Sequence, residues 1–340
     1  MPHIEPHGFL AVDRRVWFER AIAAARVPGP ADPSRGRHVE TFPSGEMKRV
    51  MKRFLAGLGA VSPVLAATGA FAAQPVDWQL GLQPAATAIM EEIRWFEQYT
   101  LWFIVPITIL VLLLLAWCIL KYRASANPVP SRTSHNTLIE VIWTVGPVVI
   151  LLFLAVPSFQ LLTAQYNPPE EAALTLKATG VQWNWEYEYQ DGEEPLTFAS
   201  FMMQENQREE MGKQDKGEYP RLLAVDNEVV VPVGVTVRVL VTASDVLHAF
   251  AMPAFGIKVD AVPGRINEIW FKAEREGLYY GQCSELCGKD HAFMPIAVRV
   301  VAQAQYDSWR EAAQANLDEA NRALVASIRN PELNVADAGN

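Results

Sequence analysis

Two kinds of hydrophobic pattern divide this chain, and the boundary between them is sharp. Residues 99–120 and 141–162 contain no charged side chain at all. At about 1.5 Å of rise per residue, each run can cross about 30 Å of hydrocarbon as a helix, and a soluble helix rarely stays apolar all round for so long. The pattern predicts two membrane helices, over about 99–120 and 141–162. Pro106, Pro147 and Pro157 fall inside them, which membrane helices tolerate better than soluble ones. Beyond Pro168-Pro169 the period drops to two. Trp183, Trp185, Tyr187 and Tyr189 share one face of a predicted strand, with Asn184, Glu186 and Glu188 on the other. Val235, Val237, Val239 and Val241 alternate in the same way with Thr236, Arg238, Leu240 and Thr242, and 266–273 and 296–301 are further strands. Short strands separated by Pro and Gly turns predict an antiparallel sandwich or barrel. A polar insertion over 205–219 reads as a surface loop. Residues 303–329 read as an amphipathic helix, with Tyr306, Trp309, Ala313 and Leu317 at helical spacing.

Charge gives the hairpin a direction. Lys121, Arg123 and Arg132 lie between the two apolar runs, whereas Glu91, Glu92 and Glu97 precede the first and Glu170 and Glu171 follow the second. Basic residues mark the cytoplasmic side, so both ends of the hairpin are expected outside, on the periplasmic side of a bacterial inner membrane. Residues 47–73 carry a basic start, an apolar stretch and a closing Ala-Phe-Ala-Ala, the layout of a secretory signal, which implies the same topology. Residues 1–46 show no periodicity and read as an extension, with Met47 or Met51 as alternative starts. The expected domains are thus 1–46, 47–73, the hairpin with its lead at 74–163, a β-domain at 164–302 and a tail at 303–340. The net charge of −9 argues against nucleic acid as a partner and favours a basic partner or a merely solvated surface.

The candidate chemistry sits in Gly281-Gln282-Cys283-Ser284-Glu285-Leu286-Cys287-Gly288-Lys289-Asp290-His291-Ala292-Phe293-Met294-Pro295. Two thiols, a carboxylate, an imidazole and a thioether occur within one short segment, and His248 follows a strand upstream. Thiolate and thioether donors beside histidine suit copper in electron transfer. The residues alone leave a structural zinc or a Cys283–Cys287 disulfide open as alternatives. The spacing is not that of covalent haem attachment.

The block Gly-Gln-Cys-Ser-Glu-Leu-Cys-Gly-x-x-His-x-x-Met-Pro resembles the copper A motif of cytochrome c oxidase subunit II. Three further blocks, in the family's order, extend the resemblance over 95–310. These are His135-Asn136-Thr137-Leu138-Ile139-Glu140-Val141-Ile142-Trp143-Thr144, Gly180-Val181-Gln182-Trp183-Asn184-Trp185 and Asp260-Ala261-Val262-Pro263-Gly264-Arg265. The resemblance implies a membrane-anchored α+β chain, a two-helix transmembrane hairpin followed by a cupredoxin-like Greek-key barrel. It implies a dinuclear copper centre with Cys283 and Cys287 as bridging thiolates, His248 and His291 on one copper each, Met294 completing one shell and the backbone carbonyl of Glu285 the other. The Glu285 side chain would help bind Mg²⁺ or Mn²⁺ shared with subunit I. Trp183 would receive the electron from cytochrome c, Asp226 and Asp245 would help dock it, and Glu140 would stand near a proton-uptake path. The implied partners are subunit I and the other oxidase subunits, cytochrome c and membrane lipid. Asn184 departs from the tyrosine often found after this tryptophan. Rival readings are a quinol oxidase subunit, which lacks the copper ligands, and a membrane-anchored copper-delivery protein.

Overall fold

A computed structural model describes residues 73–129, 131–192 and 194–329. The predicted extension 1–46 and nearly all of the signal segment 47–73 lie outside the described residues. Helix α1 (Ala88–Lys121) and helix α2 (Thr137–Tyr166) are the predicted pair, and both are apolar and long enough to span a membrane. Each is longer than its charge-free run because local capping, not hydropathy, sets its ends. Thr87 Oγ1 accepts from Met90 N at 3.1 Å to start α1, and Asn136 Oδ1 accepts from Ile139 N at 3.2 Å to start α2. The first turns of α1 therefore stand clear of the apolar run and join the β-domain. Ala86 N donates to Ala254 O at 2.8 Å, and the Thr87 hydroxyl donates to Phe255 O at 2.8 Å.

The β-domain packs two five-stranded sheets face to face. One has the order β3-β2-β1-β5-β8, made of β1 (Leu174–Val181), β2 (Asn184–Tyr189), β3 (Leu196–Ser200), β5 (Thr236–Ala243) and β8 (Asn267–Lys272). The other runs β4-β10-β9-β6-β7, made of β4 (Val229–Pro232), β6 (His248–Met252), β7 (Ile257–Ala261), β9 (Gly277–Cys283) and β10 (Pro295–Val301). The core lies between them, where the period-two pattern puts Leu174, Leu176 and Ala178 of β1 against Trp185, Tyr187, Val237, Val239, Phe250 and Ile296. The expectation of purely antiparallel pairing needs correction, because β1 with β5 and β4 with β10 run parallel. Such pairs join strands far apart in sequence, and alternation along one strand carries no information about its partner's direction.

Two other expectations change. The 205–219 insertion is not a solvated loop, since it sends Arg208, Lys213 and Tyr219 inward. Lys213 Nζ reaches Glu228 Oε1 at 2.9 Å, and Arg299 of β10 pairs with the same carboxylate and donates to the Tyr219 hydroxyl at 2.9 Å. The C-terminal segment forms two helices, α3 (Gln303–Ala315) and α4 (Leu317–Arg329). Asn316 divides them: its N–H closes α3 on Ala312 O, and its side chain accepts from Glu319 N at 3.2 Å to start α4. Trp309 packs on Tyr189 and Arg310 bonds Asp191 O at 2.7 Å, so α3 covers the β2–β3 end of the sandwich, away from the β1–β2 turn.

Candidate metal centre

Strand β6 delivers His248 and strand β9 delivers Cys283, and Phe250 of β6 pairs with Cys283 across the sheet. The loop after β9 then turns back toward β10, carrying Cys287, His291 and Met294 with it. His248 is 0% exposed, and Cys283, Cys287 and Met294 are also buried. Trp185 and Phe250 wall the histidine, with Trp185 edge-on at 6.1 Å between ring centroids. A Cβ built on Gly180 would come within 2.8 Å of the His248 ring, so this strand glycine is what lets the imidazole sit against β1.

The donor atoms converge. Cys283 Sγ and Cys287 Sγ are 3.9 Å apart as free thiols, Cys283 Sγ lies 3.8 Å from His248 Nδ1, and Cys287 Sγ lies 3.5 Å from both His291 Nδ1 and Met294 Sδ. The Glu285 carbonyl accepts from Cys283 Sγ at 3.3 Å, while its side chain is half-buried. Two donors bound tetrahedrally at the usual metal–sulfur and metal–nitrogen lengths stand roughly 3.5–3.8 Å apart. The separations seen here fall close to that range, so the donors could hold metal ions without large movement. His248, Cys283 and Cys287 alone bring ligand atoms within 4.8 Å of one another.

The electrostatics favour a metal over two neutral thiols. Burial is the largest effect on Cys283 and opposes its ionisation, but bonding to His248, to the Glu285 and Ala249 backbone and to His291 together outweighs it and holds the thiol down at about 6. Burial, with the neighbouring Cys283 thiolate, pushes Cys287 up to about 12. One proton leaves easily and the second leaves only when positive charge arrives, as metal binding supplies.

Around these donors a second set of groups fixes orientation. Asp245 takes His248 Nε2 at 3.0 Å, Gln182 N at 2.7 Å and Val246 N at 2.6 Å. A carboxylate on the far nitrogen sets the imidazole tautomer and leaves Nδ1 free for a metal. Trp183 was expected on a strand with Trp185, Tyr187 and Tyr189. It lies instead in the two-residue turn between β1 and β2, because Val181 already pairs with Asn184. The other three rings are core, whereas Trp183 is half-buried at the rim. Its Nε1 donates to Cys287 O at 3.2 Å, and Gln182 Nε2 donates to the same carbonyl at 2.8 Å. Gly288 permits this approach, since a Cβ there would meet the Trp183 ring at 3.0 Å. Beside the ring, Phe201, Met202, Gln204, Asp290 and Phe293 line an open groove of about 360 Å³.

Asp226 and Glu140 stand apart from the cluster. Asp226 binds Phe201 N at 2.8 Å and Asn227 N at 2.6 Å, bracing one edge of the groove, and burial raises its carboxyl above the usual range. Glu140 is in the first turn of α2, where its carboxylate accepts from Asn136 N at 3.2 Å. Gln182, Gly180 and Gly288 were not singled out from the sequence as site residues. A glycine inside a strand was the one available signal.

Comparison with known proteins gives the family. Residues 75–161 match the family model described as the transmembrane domain of cytochrome C oxidase subunit II, and residues 174–301 match that of its periplasmic domain. A probable cytochrome c oxidase subunit 2 of Rickettsia bellii is 47% identical over 246 residues, which cover 72% of this chain and 88% of that protein. Cytochrome c oxidase subunit 2 of Arabidopsis thaliana is 46% identical over 242 residues, covering 70% of this chain and 90% of the other. A crystal structure of the periplasmic domain of subunit II from Bradyrhizobium japonicum is 54% identical, covers 44% of this chain and 98% of that one, and has a TM-score of 0.39. With two membrane helices leading into this β-domain, and relatives of that identity along most of its length, the chain belongs to the cytochrome c oxidase subunit II family and is a subunit of an oxidoreductase complex.

Proposed function

We propose that this chain takes single electrons from reduced cytochrome c at Trp183 and hands them to haem in subunit I, by way of a dinuclear copper centre held by His248, Cys283, Glu285, Cys287, His291 and Met294. The observation that supports it most is the set of 3.3–3.9 Å separations among those six donors, with both sulfurs at the middle. When bound, such a centre supplies a one-electron store shared between two metal ions. The protein's part is to keep the donors fixed. His248 is clamped by Asp245, Trp185 and Gly180, Met294 is held in the core, and the thiolates are shielded from water, so little rearranges when charge changes. Trp183 gives a donor at the surface a contact one hydrogen bond from the Cys287 backbone.

The Glu285 carboxylate contributes to a Mg²⁺ or Mn²⁺ site at the junction with subunit I, where a hard oxygen donor suits such an ion. Asp245 has both carboxylate oxygens committed to nearby N–H groups, and Asp226, with Oδ1 taken by two of them, is half-buried. They therefore attract a basic cytochrome c by long-range field rather than by contact, an attraction that salt weakens. The basic residues Lys121, Arg123 and Arg132 between the helices support a β-domain on the periplasmic face of a bacterial inner membrane. Glu140, at the opposite end of α2, is then on the cytoplasmic side and serves near the mouth of a proton-uptake path. Oxygen reduction and proton pumping belong to the whole complex.

Metal analysis and electron paramagnetic resonance of the purified complex test this reading. Two coppers assigned to this chain, sharing one unpaired electron with hyperfine splitting from both nuclei, are expected. A single copper, a zinc or an oxidised Cys283–Cys287 pair in active complex refutes it. Replacing His248 with alanine should lower turnover far more than assembly.

A further inference from the structure

Among the described residues, the two most exposed large hydrophobic side chains lie outside both membrane helices. Trp78 is 96% exposed and Leu80 98%, in the lead that precedes α1. They flank Gln79 in a turn that is built rather than loose. Gln79 N donates to Val76 O at 3.2 Å, Val76 N donates to Gln79 Oε1 at 3.3 Å, and Gln79 Nε2 donates to Gly81 O at 3.2 Å. The polar side chain at the tip is thus turned back on its own backbone and the two apolar ones point away. Both ends of the lead are fastened, with Ala73 N on Leu278 O at 3.1 Å and Ala86 N on Ala254 O at 2.8 Å. Trp78 also holds φ at +57°, a left-handed conformation that a bulky side chain rarely adopts.

The height of the turn bears on what these two side chains face. A Cβ on Gly81 would lie 4.0 Å from Glu97 Oε1, and Glu97 is the last charge before the apolar run of α1. The turn therefore reaches down beside α1 to the level where that helix passes from water into hydrocarbon. Other aromatic side chains mark the same stretch of α1: Trp95 stacks on Tyr99 with centroids 5.4 Å apart, and the exposed Trp102 follows about one turn later. Tryptophan and tyrosine favour the headgroup zone, where an apolar ring and a polar N–H or O–H are both accommodated. Asp77, adjacent to Trp78 and exposed, keeps the contact at headgroup depth and out of the acyl core.

We propose that turn 76–82 is a third membrane contact of this chain, with Trp78 and Leu80 seated at the headgroup–acyl boundary of the leaflet that faces the β-sandwich. Because the lead is fastened to β9 and to the 253–255 turn, this contact fixes the height and tilt of the sandwich over the bilayer. It does not depend on which metal the centre holds.

A nitroxide at Leu80→Cys, in a Cys118→Ser background of the intact oxidase complex in lipid nanodiscs, tests the proposal, with the spectrum of the Leu80 parent subtracted. Cys283 and Cys287 are buried and escape labelling. Relaxation by molecular oxygen and by a water-soluble nickel chelate is compared with that of a label at Glu209→Cys, an exposed position of the β-domain. The expected result is a shift of the oxygen-to-nickel ratio toward oxygen. Nickel relaxation equal to that at position 209 places the turn in water and overturns the proposal. Shielding from both reagents shows another subunit covering the turn and overturns it equally.

Discussion

Replacing Gly180 with alanine is the sharpest test of how the metal centre is held. The new methyl carbon would lie 2.8 Å from His248 Cγ and Cδ2 and 3.0 Å from its Cβ. Carbon atoms settle at about 3.5–4.0 Å, so roughly 0.7 Å must be found by moving the ring or β1. The ring cannot yield freely, because Asp245 holds one nitrogen at 3.0 Å and Trp185 stands behind it. Strand β1 is in the middle of its sheet, bonded to β2 and β5. Overpacking of this kind costs about 1–3 kcal/mol, which a domain of this size survives. Metal–ligand lengths, by contrast, tolerate only about 0.2 Å. The expected outcome is a folded complex whose copper signature is broadened or lost and whose turnover falls with it. Copper content, the paramagnetic spectrum and steady-state turnover on one preparation read all three. Unchanged hyperfine splitting with full turnover would refute the argument that Gly180 is there to admit His248.

Three further outcomes follow from the same geometry. Asp245→Asn removes the charge that fixes the His248 tautomer and should weaken copper retention about 10–100-fold in a chelator competition. Trp183→Phe keeps a ring but loses the bond to Cys287 O; turnover with cytochrome c should fall while the copper spectrum stays unchanged, and a proportional loss of both would show the indole to be merely structural. Burial disfavours the Glu228 carboxylate, but Arg299 and Lys213 outweigh it and hold the carboxyl at about 2. An acid whose native value is depressed stabilises the fold above its unfolded value and loses that effect as pH falls through the native one. About 3 kcal/mol should therefore disappear between about pH 5 and pH 2, and Glu228→Gln should flatten that part of the acid-unfolding curve.

The parts of this protein that could be read from the sequence are those whose physics is local. The membrane pair follows from composition over a single stretch, and five of the six proposed ligand residues share one loop, so their residue types alone suggested copper. The alternation that buries Trp185, Tyr187 and Tyr189 is equally local. What escaped depends on partners distant in the chain. Trp183 continues the alternation but is cut from the strand by the Val181–Asn184 pairing. Asp245 looked like surface charge until its oxygens were seen on Gln182 N and His248. Arg208 and Lys213 looked solvated because Glu228, which draws Lys213 inward, comes later. Asn316 was legible in principle, since Asn-Leu-Asp-Glu carries a helix-start signature, yet a continuous apolar face across α3 and α4 masked it.

The double hydrogen bond on Cys287 O has a consequence for the choice of donor. Gln182 and Trp183 tie one turn to one loop, so on the proposed reading the last link of the electronic path is fixed within the subunit before any partner arrives. A donor then has to satisfy a single geometric requirement, an edge of its prosthetic group against one ring. Every other contact can be loose, transient and different for each carrier. On the proposed reading, the subunit can accept electrons from carriers of unrelated surface shape, free or tethered, without rebuilding its face for each.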